Sequence, residues 1–224
     1  MRLQSVGMST TASDSLDAAL ARHGIALPDA ARTMLDRYAR LLWDWNTKLN
    51  LTRHTDYDKF VSRDVIDTLA FSRHLTAGED VLDVGTGGGV PGVVLAILRP
   101  DVSVTLCDSV GKKARAVESI LAELGLDVAV YAAPVQQLFE EEHTFDVLVV
   151  RAVARLEKLL KWFNPFWGQF HRLLILKGPN WPDERRVCRE QRLIQHLDLR
   201  KLESYAIPGT GAESVLLQLM QKQA

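Results

Sequence analysis

The chain has 224 residues, of which 27 are Lys or Arg and 28 are Asp or Glu, with 47% hydrophobic and 25% charged content. That length holds one α/β domain with a short appendage, and a mix containing 14 Gly, 8 Pro and 2 Cys excludes a disordered, collagen-like or disulfide-scaffold protein. A formal net charge of -1 excludes a general affinity for nucleic acid, so an RNA or DNA partner must be held by a local patch.

The N-terminal third reads as helical. After a Ser13-Asp14 cap signal, Leu16, Ala19, Leu20 and His23 recur at helical spacing, and behind Pro28-Asp29 a second stripe runs from Met34 through Tyr38 to Trp45. Polar residues interrupt the pattern over 46–54. A third helix is predicted over 60–75, ending at Thr76-Ala77-Gly78-Glu79. The first fifteen residues lack the apolar core of a secretory signal, and the longest apolar run, 90–98, is too short to span a bilayer. With two cysteines too few for a disulfide framework, a cytoplasmic address is expected.

From Asp80 the periodicity changes. Short runs rich in β-branched residues at 81–84, 102–107, 128–131, 147–150 and 173–176 predict strands, with helices at 90–98, 112–124 and 156–163 between most of them. Such alternation is the signature of a parallel sheet covered on both faces. A further helix is predicted over 183–196, and two runs, 199–207 and 215–220, flank Pro208-Gly209-Thr210-Gly211 as antiparallel edge strands. The fold class is therefore α/β, a Rossmann-like doubly wound sheet, mostly parallel with an antiparallel edge, over residues 80–224, preceded by a helical extension over 1–79.

Charge is distributed unevenly. Lys and Arg number 10 against 10 acids over residues 1–79, 4 against 11 over 80–150, and 13 against 7 over 151–224. A balanced total hides an acidic middle and a basic C-terminal third, which includes Arg185, Arg186, Arg189 and Arg192 on one predicted helix; a solvated face and a phosphate contact are both open for it.

The most informative segment is Val81-Leu82-Asp83-Val84-Gly85-Thr86-Gly87-Gly88-Gly89-Val90-Pro91-Gly92. A strand feeding a glycine-rich turn and then a helix is where a doubly wound sheet holds a nucleotide-like ligand against backbone N–H groups. Gly87, Gly89 and Gly92 fit the dinucleotide pattern G-x-G-x-x-G, so NAD must be weighed. Asp83, expected to face the bound group, repels a pyrophosphate and favours the ammonium of S-adenosylmethionine, leaving the helix N-terminus for its carboxylate. Asp108, at the end of the second sheet strand, is positioned to accept from ribose hydroxyls, a role common to both cofactors.

In order over residues 40–180, Trp45-Asn46, Asn50-Leu51-Thr52, Arg63 with Asp67-Thr68-Leu69, the glycine loop with Val90-Pro91-Gly92, Asp108-Ser109 with Gly111-Lys112-Lys113, Arg151-Ala152 and Leu176-Lys177-Gly178-Pro179 resemble the RsmG (GidB) family. The resemblance implies a class I S-adenosylmethionine-dependent methyltransferase acting on guanine N7 in bacterial 16S ribosomal RNA of the small subunit. It carries cofactor contacts to Gly85, Val90, Val135, Gln136 and Arg151. The family pattern Arg-Ala/Val-Glu-Glu is here Pro134-Val135-Gln136-Gln137, and its Arg-His is here Arg63-Asp64.

Guanine N7 bears a lone pair and no proton, so attack on a sulfonium methyl needs no general base. Positioning and exclusion of water carry the rate. Arg151, at a strand end, is assigned an orienting role, with a salt bridge to a nearby acid as the competing reading. Asp83, Gly87 and Asp108 complete the expected cofactor site. Arg63, Arg115 and Lys177 are candidate RNA contacts, against ordinary surface pairing. The five tryptophans are expected mainly in the core, and the histidines and cysteines show no metal-ligand spacing, so no metal is expected. A monomer is expected. A methyltransferase for a small molecule or another RNA, and a factor that binds the cofactor without turnover, remain alternatives.

Overall fold

A computed structural model describes residues 15–222. The Ser13-Asp14 cap signal lies outside them; the first described helix, α1 (Leu16–Arg22), is capped instead by Ser15, whose hydroxyl accepts from the Ala18 N–H at 3.2 Å. α2 (Asp29–Asn46) carries the second stripe and buries Leu35, Tyr38, Ala39 and Leu42.

The third predicted helix is composite. It comprises α3 (Tyr57–Lys59), a π-helical turn (Phe60–Val65) and α4 (Ile66–Ser72). The wide turn buries Phe60, Val61, Asp64 and Val65 together, and α4 buries Asp67 one turn beyond Asp64. Two carboxylates three residues apart on one buried face are affordable only beside a cation.

Seven strands form one sheet in the order β3-β2-β1-β4-β5-β7-β6. β1 (Asp80–Val84), β2 (Ser103–Cys107), β3 (Ala129–Tyr131), β4 (Phe145–Arg151) and β5 (Phe170–Lys177) are mutually parallel. β6 (Leu197–Ala206) and β7 (Glu213–Gln221) form the expected antiparallel edge, with β7 paired to β5. The central strands are buried along nearly their whole length because helices cover both faces: α5 (Gly92–Leu98) and α6 (Gly111–Leu124) on one, and α7 (Val135–Glu140), α8 (Leu156–Phe163) and α9 (Trp181–Glu190) on the other. Buried residues of α1, α2 and the π turn form one apolar cluster with those of α5, α6 and the strands beneath.

Two further elements differ from the sequence reading. α7, between β3 and β4, is too short at six residues to declare a period, yet it buries Val135, Leu138 and Phe139 at helical spacing. α9 stops at Glu190 rather than continuing to 196. The Leu193 N–H bonds the Cys188 carbonyl, the Arg192 N–H bonds the Arg189 carbonyl, and Arg192 takes φ 59°. This is a Schellman closure with Arg where glycine is usual, so no glycine marked the stop.

Chain order reverses across the neighbouring strands β1 and β4, and in such sheets the ligand crevice opens beyond the carboxyl ends of the strands at that point.

Candidate functional site

The glycine loop connects β1 to α5 at this reversal. The Gly85 and Thr86 N–H groups donate to the Cys107 carbonyl at 2.9 and 3.0 Å, so the loop rides on the end of β2. Gly85 has φ 72°, and a Cβ there would stand 2.7 Å from Val153 Cγ2. At Gly92 a Cβ would overlap Leu106 Cδ2 and lie 2.7 Å from Asp83 Oδ2.

Asp83 does not face the crevice. It is 1% exposed, and its Oδ2 accepts from the Thr86 hydroxyl at 2.7 Å and the Gly92 N–H at 2.8 Å, while Oδ1 is buried without a partner among the described residues. Burial raises its pKa to about 6 against the lowering effect of those two hydrogen bonds. The expected direct contact with a ligand ammonium is thus corrected: Asp83 braces the loop from beneath. Gly92 N–H is consumed in the same brace, and α5 has seven residues, so the helix start is not a free anion seat.

Asp108 does reach the crevice. Its Oδ2 accepts from the Gly87 N–H at 2.9 Å and its Oδ1 from the Val110 N–H at 2.8 Å, which fixes the carboxylate beside the loop. Asp108, Ser109, Gly85 and Val153 separate two connected spaces. One is a narrow slot of about 120 Å³ walled by Cys107, Ala133, Pro134, Val135, Gln136 and Trp162. The other is a cleft of about 350 Å³ lined by Thr52, Gly87, Gly88, Val90, Lys113 and Arg151. The structure therefore brings Gly85, Val90, Val135, Gln136, Gly87, Asp108 and Arg151 to one crevice. Lys113 lines it and Lys112 does not.

Beyond the cleft lies a chamber of about 600 Å³ that shares Leu51, Thr52, Arg151, Ala152 and Val153 with it. Arg53, His54, Arg63 and Lys177 also line this chamber, and Ile207 and Ser214 at the β6–β7 turn wall its side. Arg151 stands at the junction. Its Nη1 lies 2.8 Å from Asp64 Oδ1 and 3.1 Å from Asp67 Oδ2, with all three side chains largely buried. Burial works to lower the Arg151 pKa, but the two carboxylates outweigh it and leave it raised; burial also raises Asp67, against the pull of Arg151. The salt bridge is present, and Nη2 and Nε have no protein partner among the described residues, which leaves them available for the expected orienting role. Asp67 Oδ1 in turn accepts from the Tyr205 hydroxyl at 2.7 Å.

Of the candidate RNA contacts, Arg63 lines the chamber, and Arg115 is exposed on α6 outside both the chamber and the cleft. Lys177 is a correction. Its side chain is 9% exposed, and Nζ is 2.7 Å from both Glu184 Oε2 and the Ala154 carbonyl, so it ties β5 to α9 instead of meeting an RNA phosphate. Sequence reasoning missed Trp162, His54 and Arg53, which no motif marks; only the fold brings them to the crevice. Trp167 is buried as expected, whereas the other four tryptophans are partly exposed. No group of three or more His, Cys, Asp or Glu residues arranged to hold a metal ion occurs among the described residues, and no helix is long and apolar enough to cross a membrane.

Comparison with known proteins places this geometry. The family model "GidB: rRNA small subunit methyltransferase G" matches residues 31–209. A protein of Rhodopirellula baltica named ribosomal RNA small subunit methyltransferase G is 44% identical over 195 residues, 87% of this chain and 84% of its own length. Its namesake from Pseudomonas paraeruginosa is 37% identical over 196 residues, covering 88% and 89%. Among solved structures, M. capricolum TrmK in complex with S-adenosyl-homocysteine superposes with a TM-score of 0.56 at 10% identity, covering 70% of this chain and 68% of that one. The Pyrococcus abyssi tRNA (uracil-54, C5)-methyltransferase in complex with S-adenosyl-L-homocysteine gives 0.55 at 18% identity, covering 76% and 40%; these two likenesses concern the fold. With the family model spanning most of the chain and relatives identical at more than a third of positions, the protein belongs to the rRNA small subunit methyltransferase G family.

Proposed function

We propose that this protein methylates guanine N7 in 16S ribosomal RNA of the small subunit, in the cytoplasm, with S-adenosylmethionine as methyl donor. The observation that carries the reading is the succession of slot, cleft and chamber: slot and cleft share Gly85, Asp108, Ser109 and Val153, and cleft and chamber share Arg151, Ala152 and Val153. The residues present fit the donor. A slot of about 120 Å³ walled by Val135, Pro134 and Trp162 suits a flat adenine. Asp108 lies where slot meets cleft, beside the place for a ribose. A cradle at Gly85, which a Cβ would close against Val153, keeps the junction open. Lys113 and the loop backbone line the cleft meant for the amino-acid end.

When bound, the donor supplies an electrophilic methyl group on a sulfonium. The chain's own task is geometric. N7 has no proton to lose, so no side chain needs to act as base. Arg151, clamped by Asp64 and Asp67, presents a fixed guanidinium at the boundary between donor and target base. Val153 and Leu51, which line both spaces, exclude water there. Asp67 also lines the chamber and offers a carboxylate to a ring that becomes cationic on methylation. Arg53 and Arg63 on the chamber wall suit backbone phosphates, in keeping with a chain whose global charge is balanced.

The test is methyl transfer from labelled donor to undermethylated small subunits and, in parallel, to naked 16S RNA, with the labelled nucleoside identified. Label on guanine N7 is expected. Label on another base or on a small metabolite, or donor binding without transfer, refutes the reading.

A further inference from the structure

The chamber contains an imidazole that the methyl-transfer reading does not use. His54 is held from three directions: its N–H donates to the Thr52 hydroxyl at 3.0 Å, its carbonyl accepts from Trp43 Nε1 at 2.7 Å, and its ring Nδ1 lies 2.9 Å from Asp64 Oδ1. Asp64 is fully buried, and the same oxygen stands 2.8 Å from Arg151 Nη1, which marks it as an ionised acceptor. The ring nitrogen facing it must therefore carry the hydrogen, and in the neutral ring Nε2 keeps its lone pair. Nε2 has no protein partner among the described residues and is not sealed from solvent. The ring is a preorganised acceptor that opens on the chamber.

Its position gives the acceptor a target. His54 lines the chamber but not the donor cleft, whereas Arg151 lines both. A purine whose N7 points at the cleft turns its Watson–Crick edge, N1 and N2, roughly at right angles to that direction, where the chamber wall that holds His54 can meet it. In guanine that edge offers N1–H and an amino group, both donors; in adenine N1 is itself an acceptor. Resting on the activity proposed above, we propose that His54 is a specificity residue whose Nε2 accepts a hydrogen bond from the N1–H edge of the target guanine. Adenine in the same pose sets two lone pairs against each other, so the site rejects it without touching N7. The charged groups around the ring are Asp64, Arg151 and, two residues on at the N-cap of α3, Asp56, with Arg53, Arg63 and Asp67 on the same chamber wall.

The experiment compares small subunits reconstituted with 16S RNA carrying either guanine or 2-aminopurine at the labelled position. The analogue keeps N7 and the amino group but has a bare N1. Three proteins are compared: unaltered, His54→Asn, which retains a donor toward Asp64 but lacks Nε2, and His54→Gln, which restores an acceptor further out. The unaltered protein should favour guanine in kcat/KM, His54→Asn should shrink that preference on the order of tenfold, and His54→Gln should recover most of it, with donor Kd unchanged throughout. A guanine preference that is the same in His54→Asn as in the unaltered protein overturns the proposal, as does a His54→Gln protein no more selective than His54→Asn. If His54→Asn does not fold, loss of the preference in a folded His54→Gln protein also overturns it. No guanine methylation by the unaltered protein defeats the activity itself, a distinct result.

Discussion

Arg151→Met separates the ion pairing of Arg151 from the orienting role proposed for it. The guanidinium neutralises two carboxylates whose side chains are 0% and 4% exposed, at 2.8 and 3.1 Å. Methionine preserves much of the volume but leaves Asp64 and Asp67 buried without their cation. Breaking a buried ion pair by removing one partner costs roughly 3–5 kcal/mol, which for a chain of this size lowers the melting temperature by roughly 10 °C. The triple variant Asp64→Asn, Asp67→Asn, Arg151→Met removes the stranded charges and should recover most of that loss, because neutral amides can still accept from His54 and Tyr205. Methyl transfer should remain lost in both proteins. Denaturant melts at neutral pH measure the first effect, and single-turnover transfer of labelled methyl measures the second. A single variant as stable as the unaltered protein refutes the structural argument. A triple variant with restored transfer refutes the assignment of Arg151 as an orienting residue.

Gly92→Ala places a methyl group against Leu106 and the Asp83 carboxylate, so overpacking should destabilise the protein by about 1–3 kcal/mol and weaken donor binding through the loop; an unchanged melt would show that β2 yields. Asp83 titrates near pH 6 in the folded protein against 3.8 ordinarily, so its contribution to stability is fully present below about pH 4 and lost as pH rises through 6, a swing on the order of 3 kcal/mol. Carbon-13 shifts of the Asp83 carboxyl follow this directly, and a midpoint near 4 contradicts it. Lys177→Met should destabilise by about 2 kcal/mol, because the largely buried Glu184 carboxylate loses its cation and keeps only the Leu156 N–H. The salt dependence of subunit binding should stay unchanged; a slope reduced by about one would return Lys177 to the RNA interface.

The alternation of strands and helices from Asp80 onward was legible because buried parallel strands are continuous apolar runs, and the antiparallel edge was legible in the Gly- and Pro-containing loop between 207 and 215. The glycine loop and Asp108 were legible as motif and spacing, whereas the slot residues Val135 and Gln136 came only through the resemblance to the RsmG family. The direction of individual charged side chains was not. Asp83 and Lys177 carry the same one-letter information whether they face a ligand or brace the fold, and the braces at Gly92 and Glu184 are what decide the matter. The π turn was equally silent, since its residues continue an apolar pattern that an α-helix would satisfy.

By itself, then, the sequence determined the elements whose physics is local: amphipathic stripes, apolar strands, and a turn that only glycine can make beside a ligand. The site depends on contacts between residues far apart in the chain, such as Arg151 with Asp64, Tyr205 with Asp67 and the slot with Trp162. These formed when the sheet brought its strand ends together and excluded water from charges that had to find one another. Burial turns an Asp into a brace and an Arg into a clamp. Burial is a property of the assembled fold, and composition, which showed a chain with almost no net charge, could not locate where that charge would be needed.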